Sequence, residues 1–439
     1  MKLGRLLIAA VLLAGLSGVL WWSNKSEAAK ANKPPTDAAP KVMALKEADI
    51  QQIEIKKRDG TDTVLKREDG KWAITAPKPL GADQSSVDAL TSAATDLISE
   101  RMVDDHPTDI ASYGLSPAAD DVTFTLKNGQ TKKLLIGDST PTGSAVYAMA
   151  SGDPKLYTMS SFNKDSFDKS SKDLRDKRLM TFDQDKISRV ELNAKHQDME
   201  FGKVNQTDWQ ILKPKPMRAD GFQVDDLVRK LSGAQMDTSV SDADAKKYAS
   251  EWFTATPVAV AKVTGAAGTQ TLEVRKLKDD YLAKSSVVEG VQKVTKDLGD
   301  GMDKSVDDFR NKKLFDFGYT DPTRIEFKDG AKLATFEKSG DKWMSGGKQM
   351  DNTSIQAFID KLRDLSAVKF VDNGFTTPAL EITVVSNDGK RTEKVQIAEN
   401  GIARRENEAS LYMLDANAVK DLRNSADDVK APPPTTAKK

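Results

Sequence analysis

A tryptophan followed by closely spaced prolines occurs twice in this chain, in nearly the same setting. Residues 71–83 read KWAITAPKPLGAD, and residues 208–220 read DWQILKPKPMRAD. The isoleucine two positions after each tryptophan gives the alternation of a β-strand, and the prolines favour an extended segment after that strand. Two copies of one local pattern indicate a scaffold that is built from repeated modules.

Further matches recur in the same order along the chain. KDLRDKRLMTF at 172–182 returns as DDFRNKKLFDF at 307–317, and Tyr113 returns as Tyr248. A third, shorter copy begins near Trp343, and its segments ALEITVVSNDGKRTEKVQI and SLYMLD parallel DVTFTLKNGQTKKLLI and KLYTMS of the first copy. This copy has lost most of the proline segment. We predict three tandem modules, at residues 42–185, 186–320 and 321–428.

Apolar periodicity assigns strands and helices within each copy. In the first copy, QQIEIKKR, DTVLKRE and KWAIT alternate apolar and polar residues between Asp-Gly turns, as an antiparallel meander does. A helix in SSVDALTSAATDLI, capped by Ser85 or Ser86, then four more strands and a closing helix near residues 162–175 complete the copy. This order predicts an α+β fold of tandem modules, each an antiparallel sheet with packed helices.

Side chains that recur at equivalent positions have mainly structural interpretations. We expect Trp72 and Trp209 in the core between sheet and helix, with a stacking platform for a ligand ring as the alternative. One aspartate per copy is expected to cap the first helix, and one arginine per copy to close a helix. A shared ligand site and a bound anion are the alternatives. These residues are Asp83, Asp220 and Asp351, and Arg175, Arg310 and Arg423.

The N-terminus carries signals of export. Lys2 and Arg5 precede an uncharged run at residues 6–22, which ends in two tryptophans. Its length is at the lower end of the roughly 17–25 residues that cross a bilayer, and the preceding charges favour a cytoplasmic N-terminus. We predict one N-terminal transmembrane helix within residues 1–22. A signal peptide cleaved near the AKA triplet at 29–31 and a buried helix of a cytoplasmic protein are the alternatives.

Two other segments lack any apolar period. Residues 23–41 are rich in Ala, Lys and Pro, which predicts a linker, and residues 429–439 include APPPTTAKK, which predicts a disordered tail. The chain as a whole has an apolar content of 38%, which suffices for sizeable cores.

Composition and motifs argue against several function classes. Lys+Arg and Asp+Glu are both 66, so no excess of positive charge indicates a nucleic-acid partner. Cysteine is absent, which excludes disulfides and thiol nucleophiles, and the two histidines, His106 and His196, are expected on the surface.

No HExxH, GxSxG or Walker motif occurs. We expect a turn at Gly346-Gly347 and a helix entry, not a calcium site, in the acidic stretch 297–308. We therefore predict no catalytic residue, no cofactor and no metal site.

Several of these segments together resemble a known family. KWAITAPKPLGAD, YGLSP (113–117), LLIGD (134–138), YAMASGDPKLYTM and DLRDKRL are similar to the bacterial envelope family called domain of unknown function 4340. The resemblance covers residues from about 45 to 320, and more weakly to 428. It implies a membrane-anchored protein outside the cytoplasm, encoded beside components similar to the gliding-motility auxiliary ABC-transport system. It implies no catalytic residue.

Two functions from different classes follow as hypotheses. The first is a non-enzymatic periplasmic scaffold in the inner membrane, bound to a permease or periplasmic subunit of an ABC-type transporter. The second is a ligand-binding module for envelope glycan or a secreted polymer, which would use exposed tyrosines such as Tyr147, Tyr157 and Tyr281. An envelope enzyme is a weaker third hypothesis, and it would require convergent carboxylates or hydroxyls.

Overall fold

The computed structural model describes residues 40–205 and 208–432. These residues form two compact units, which divide between Lys177 and Arg178. The predicted anchor, the linker up to residue 39 and the tail from residue 433 lie outside the described residues. Within the described ranges, no helix is long and apolar enough to cross a membrane.

The first unit contains one nine-stranded antiparallel sheet in the order β4-β3-β2-β1-β6-β7-β8-β9-β5. Its strands are β1 Ile50–Lys57, β2 Asp62–Glu68, β3 Lys71–Ala76, β4 Leu80–Gly81, β5 Arg101–Asp104, β6 Asp120–Leu126, β7 Thr131–Ser139, β8 Ala145–Ala150 and β9 Leu156–Ser160. Helix α1 (Gln84–Thr95) covers one face, and α2 (Ser161–Phe167) and α3 (Ser171–Leu174) close the unit. Short 3₁₀ turns lie at Glu47–Asp49 and Ala111–Tyr113.

The second unit contains two sheets, and the first of them has eight strands in the order β13-β12-β11-β10-β14-β15-β16-β17. They are β10 Ile187–Ala194, β11 Gln197–Lys203, β12 Trp209–Lys213, β13 Met217–Arg218, β14 Thr256–Gly265, β15 Gly268–Leu277, β16 Asp280–Ser285 and β17 Gln292–Val294. The helices are α4 Gly221–Ser232, α5 Asp242–Glu251, α6 Lys296–Met302 and α7 Val306–Phe309, with 3₁₀ turns at Gln184–Lys186 and Trp252–Thr254.

The other sheet of this unit repeats the nine-strand order as β21-β20-β19-β18-β23-β24-β25-β26-β22. Its strands are β18 Arg324–Asp329, β19 Lys332–Ser339, β20 Lys342–Ser345, β21 Lys348–Gln349, β22 Lys369–Val371, β23 Pro378–Ser386, β24 Arg391–Ala398, β25 Ile402–Arg405 and β26 Leu411–Met413. The helices are α8 (Asn352–Asp364) and α9 (Ala418–Asp427). The α+β class and the tandem repetition of antiparallel sheets are therefore confirmed.

Each sheet buries one face under its helices, and the repeated tryptophan belongs to that buried face. Trp72, Trp209 and Trp343 are 3%, 6% and 4% exposed. Strand alternation turns Ile74 and Ile211 to the same side, where both are buried. The prediction that Trp72 and Trp209 fill the core is confirmed, and Trp343 is buried in the same way. Ser345 stands at the corresponding position of the third copy.

The aspartate before the first helix of each copy is its N-cap. The backbone N–H of Ser85 donates to Asp83 Oδ1 at 3.0 Å, that of Phe222 to Asp220 Oδ1 at 3.1 Å, and that of Ser354 to Asp351 Oδ2 at 2.9 Å. Each carboxylate thus satisfies a donor that the helix leaves free. The capping prediction for the three aspartates is confirmed, whereas capping by Ser85 or Ser86 is wrong because Gln84 already opens α1.

The contribution of such a cap to the free energy of unfolding can be measured. We expect Asp220→Ala to lower the free energy of unfolding of the second unit by about 1 kcal/mol, because two N–H groups of α4 lose their acceptor. Asp220→Asn keeps an oxygen acceptor and is the matched control. Urea unfolding followed by tryptophan fluorescence measures both, and an equal loss in the two variants would contradict a capping role.

Candidate interaction site

The repeated segment at 307–317 is the joint between the two modules of the second unit. Phe309, in its first half, is fully buried in the core under the sheet that begins at β10. Leu314 and Phe315, in its second half, are buried in the core under the sheet that begins at β18. The segment is therefore shared between two cores, which explains why it recurs at a module boundary.

Arg218 reaches across this joint from the edge strand β13. Its guanidinium donates to Asp316 Oδ2 at 2.5 Å and to the carbonyl oxygen of Lys313 at 2.6 Å. Its Nε lies 2.8 Å from Glu408 Oε1, and Nη2 lies 3.1 Å from the Tyr412 hydroxyl oxygen. One side chain of the second module thus contacts both the joint and two residues of the third module.

Further charged groups enclose this contact. Arg405 Nε donates to Glu408 at 2.7 Å, and Arg405 Nη2 donates to Glu393 at 3.0 Å. Glu393, which is buried, also accepts the backbone N–H of Asp316 at 3.0 and 3.1 Å. We call the set Arg218, Asp316, Glu393, Arg405, Glu408 and Tyr412 the Arg218 cluster. Its cations and carboxylates alternate, so each buried charge has a partner.

The electrostatics of the cluster keep Arg218 charged. Burial by itself would lower the pKa of the guanidinium, but Tyr412, Glu408 and Asp316 outweigh it and raise the pKa above its usual value. A buried pair of this kind contributes little net stability compared with apolar packing, but losing one partner is costly. We therefore expect loss of Arg218 to leave Asp316 and Glu408 without this cation at the joint.

The Tyr412–Glu408 pair has a counterpart in the first unit. The Tyr412 hydroxyl donates to Glu408 Oε2 at 2.6 Å, and the Tyr157 hydroxyl donates to Asp153 Oδ2 at 2.7 Å. In both copies the carboxylate lies four residues before the tyrosine, at the turn that leads into the last strand of the meander. In the third copy the Glu408 carboxylate also contacts Arg218. The repeated local contact is therefore part of a long-range contact in this copy.

The tyrosines proposed as an exposed binding surface lie elsewhere. Tyr157 and Tyr281 are 3% and 6% exposed, and the Tyr281 hydroxyl donates to Asp300 at 2.7 Å. Tyr147 is half-buried, with its ring centroid 4.9 Å from that of Tyr113. The expectation that Tyr157 and Tyr281 are exposed is wrong, because both side chains lie in the hydrophobic cores of their sheets.

Alkaline unfolding tests the Tyr157 contact. Burial, followed by the hydrogen bond to Asp153, raises the pKa of Tyr157 to about 12. Because the folded pKa lies above the unfolded value, its contribution to stability is present below about pH 10 and is lost as the pH rises through about 12. We expect Tyr157→Phe to remove about 2 kcal/mol of this pH dependence in unfolding titrations from pH 9 to 12. An unchanged slope would contradict the assignment.

A groove of about 560 Å³ lies on the outer face of the third sheet, next to the cluster. Glu381, Gln396 and Arg404 line it and belong to one row of hydrogen-bonded side chains. Lys328 donates to Glu381 at 2.7 Å, Gln396 donates to the other Glu381 oxygen at 3.0 Å, and Arg404 donates to Gln396 at 2.8 Å. Lys328 and Gln396 hold the pKa of Glu381 below its usual value. The guanidinium of Arg404 also lies 4.4 Å from the ring centre of Phe375.

This row gives the groove a fixed polar pattern. Lys394 and Glu406 form a second contact beside it, at 3.3 Å. The strands β18, β23, β24 and β25 hold Lys328, Glu381, Gln396 and Arg404 at paired register positions, so the order of the row is set by the sheet. A surface of alternating donors and acceptors can bind a polar protein segment or a hydroxyl-rich polymer.

The arginines predicted to close helices have different roles. Arg175 and Arg310 follow the last residues of α3 and α7, as predicted. Arg310 also donates to Asp307 and Ser410, at 2.8 and 2.9 Å, and lies over the Phe370 ring. For Arg423 the prediction is wrong, because it lies within α9 and its guanidinium holds Asp329 and Glu399.

The remaining candidates are structural or solvent-exposed. His106 and His196 are both exposed, and Gly346 and Gly347 form a turn. The aspartates of the acidic stretch contact separate partners: Lys230 with Asp297, Tyr281 with Asp300, Lys195 with Asp303, Arg310 with Asp307 and Ser305 with Asp308. Among the described residues, no group of three or more His, Cys, Asp or Glu side chains could hold a metal ion.

The residues of the Arg218 cluster were not identified from the sequence. Arg218 lies in the second proline segment, where the first copy has Gly81, and this difference between copies is the only signal in its neighbourhood. Nothing in the sequence pairs it with Glu408, because the two residues lie in different modules. A charged residue that replaces glycine in an otherwise matching segment could have been treated as a candidate contact.

The comparisons with known proteins agree with this architecture. A family model described as Domain of unknown function (DUF4340) matches twice, at residues 72–250 and 209–383. Each match begins at the tryptophan of one copy, and together they span more than half of the chain. The chain matches no curated protein and no solved structure. The resemblance drawn from the repeated motifs is confirmed, and the chain belongs to the family of domain of unknown function 4340.

Proposed function

We propose that this chain is a non-enzymatic scaffold protein of the bacterial envelope, anchored in the inner membrane, with its modules in the periplasm. The observation that carries the proposal is the Arg218 cluster, in which one guanidinium holds Asp316 of the joint and Glu408 and Tyr412 of the next module. A protein that only had to link two domains would not require a buried charge network at the joint. A fixed joint presents the surfaces of both modules in one arrangement, which a binding partner can recognise.

The polar groove supports the same function. Its floor is a row of paired side chains held on adjacent strands, and rigid polar surfaces give specificity at protein interfaces. We infer that this face of the third module contacts the partner.

The membrane attachment and the partner class rest on the sequence. The apolar run at 6–22 with preceding Lys2 and Arg5 supports a single-pass anchor, and residues 23–41 support a linker to the first module. The family resemblance implies an ABC-type transport system related to gliding-motility auxiliary components. It therefore supports a permease or a periplasmic subunit of such a system as the partner.

A second candidate function is binding of envelope glycan or a secreted polymer. The observation in its favour is the groove, where Arg404 lies on the Phe375 ring beside the Glu381–Gln396 pair. Such an arrangement could bind hydroxyl groups. The buried Tyr157 and Tyr281 do not support it.

Crosslinking in intact cells tests the scaffold function. The full chain carries an affinity tag after Lys439, is extracted in mild detergent, and is analysed by mass spectrometry. We expect co-isolation of transporter subunits with the wild type and at least fivefold lower recovery with the charge-reversing groove variant Lys394→Glu/Arg404→Glu. Lys66→Glu/Lys71→Glu, on exposed strand positions of the first unit, is the matched control.

Three results would change this conclusion. Recovery of the chain alone, without residues 6–22, would contradict an anchored complex. Equal recovery with both double variants would contradict the role of the groove. Retention of purified glycan by the wild type, but not by the groove variant, would favour the second candidate function.

A further inference from the structure

A carboxylate lies inside the core of the first unit, at the start of β6. Asp120 is 2% exposed and lies on the same face of the strand as Val122 and Phe124, which belong to the core. The paired positions on the neighbouring strands are Lys57 of β1 and Ile136 of β7. Among the described residues, no hydrogen bond ends on the Asp120 carboxylate. Burying a charged group without hydrogen bonds is costly.

Beside this carboxylate, a lysine of the sheet holds the end of a helix. Lys57 Nζ donates to Asp168 Oδ1, and Asp168 is the C-cap of α2. Lys164 of α2 lies 3.8 Å from the other Asp168 oxygen. The second module has the same kind of contact, since Lys195 Nζ lies 3.2 Å from Asp303, the C-cap of α6. The contact between Lys57 and Asp168 therefore anchors α2 on the sheet.

Two carboxylates consequently face one ammonium group. Lys57 stands beside Asp120 in the register and also binds Asp168. Burial, followed by repulsion from Asp168, raises the pKa of Asp120, although the nearby cations oppose this rise. The charged groups around the site come from β1, from α2 with its C-cap and from α3: Lys57, Arg58, Lys164, Asp168 and Asp173. Arg58 also contacts Asp138, and Asp173 also accepts from Ser170.

The other copies show that the sheet does not require a carboxylate at this position. When the strand pairings are followed from the repeated tryptophan, Ala259 and Leu380 stand at the position of Asp120, and both belong to their cores. The position of Lys57 carries Ala194 and Asp329 in these copies. The combination of a buried aspartate and a shared lysine is therefore specific to the first of the three modules.

We propose that Asp120 is a pH-responsive competitor for Lys57, which loosens the anchor of α2 when it is ionised. With a proton on Asp120, the ammonium group of Lys57 binds Asp168 alone, and α2 stays docked. When that proton leaves to solvent, two carboxylates share the ammonium group, and the helix end opens more often. The responding segment, 161–174, lies next to the end of the first unit at Lys177. This inference goes beyond the proposed scaffold function and requires only the folded first unit.

The direction of the pH dependence follows from the burial of Asp120. Its pKa in the folded chain lies above the ordinary value of 3.8, so the folded chain binds the proton more tightly than the unfolded chain does. The stability that this proton contributes is fully present below 3.8 and is lost as the pH rises through the raised pKa. An Asp120→Asn variant cannot lose a proton here and is expected to lack this dependence.

Hydrogen exchange of the full chain in mild detergent tests the proposal, from about pH 4 to about pH 8, with rates corrected for intrinsic exchange. We expect the opening of residues 161–167 to increase at least about threefold over this range in the wild type and to stay constant in Asp120→Asn. Asp121→Asn is the matched control, because Asp121 is the next residue of β6 and contacts Lys133 at 2.9 Å. It should respond as the wild type does.

A second background separates competition for Lys57 from the general cost of burial. In Asp168→Asn the anchoring carboxylate is absent, so we expect Asp120→Asn to leave the opening of 161–167 unchanged there. Asp120→Leu, which introduces the residue of the third copy, repeats the test without an amide in the core.

Three outcomes would overturn the proposal. The first is an equal pH response of the wild type, Asp120→Asn and Asp120→Leu. The second is an unchanged effect of Asp120→Asn in the Asp168→Asn background, which would mean that Asp120 acts by its burial and not through Lys57. The third is a response of the sheet strands that is as large as that of α2.

Discussion

Replacing Arg218 by methionine is expected to lower the free energy of unfolding of the second unit by about 3 kcal/mol. Methionine retains an apolar stem of similar length but removes the charge, so Asp316 and Glu408 lose a cation in a site where the Arg218 side chain is only 21% exposed. Losing one partner of a buried pair typically costs about 3–5 kcal/mol. The lower value is expected because Arg405 and Arg391 still face these carboxylates.

Urea unfolding measures the loss, and limited proteolysis locates it. We expect new cleavage within residues 310–317 of the Arg218→Met variant, because the joint is no longer held from β13. Arg324→Met is the matched control, since Arg324 is a half-exposed arginine of the same unit that contacts Glu326. Its cost should stay within about 0.5 kcal/mol, as for exposed ion pairs. Equal costs for the two variants would disprove the fixing role of Arg218.

Replacing Gly137 by alanine is expected to destabilise the first unit by about 3 kcal/mol. A Cβ at this position would lie 2.2 Å from the carbonyl oxygen of Tyr113, and backbone cannot move aside as a flexible side chain can. The two residues belong to LLIGD and YGLSP, two of the motifs that carry the family resemblance. Arg58 holds the same contact by donating to the Gly114 oxygen at 2.7 Å and to Asp138 at 2.9 Å.

The control is a glycine with space around it. Gly81→Ala places its Cβ 3.6 Å from the nearest atom, an ordinary contact, so its effect should stay below about 1 kcal/mol. Thermal unfolding of both variants measures the difference. If Gly137→Ala proved as mild as Gly81→Ala, these family motifs would need an explanation other than close packing.

Local features of the fold were predictable from the sequence. The period of two in β3 and β12 places Trp72 and Trp209 on the buried face, and each helix-capping aspartate acts on N–H groups only two or three residues away. Repetition strengthened these predictions, because one pattern was available in several copies. The limits of α1 were less accurate: the helix ends at Thr95 and leaves Ile98 exposed, although periodicity had extended it further.

Contacts between distant segments could not be predicted in the same way. Arg423 resembled a helix-closing residue because of its position in the third copy, yet its partners Asp329 and Glu399 come from other strands and turns. Tyr281 carries no local signal of burial, because its environment depends on how α6 packs on the sheet. Arginine and tyrosine side chains can make several kinds of contact. Their partners are therefore known only when the fold shows which residues lie near them.

The sequence by itself determined the repeated sheet-and-helix modules, their order along the chain and the burial of Trp72 and Trp209. These follow from short-range periodicity and from turn and cap residues, whose effects act within a few positions. Only the tertiary structure decided that Arg218 meets Glu408 and that Arg423 meets Asp329 and Glu399. Both contacts join residues that lie far apart in the sequence, and local propensity does not encode which distant segments meet.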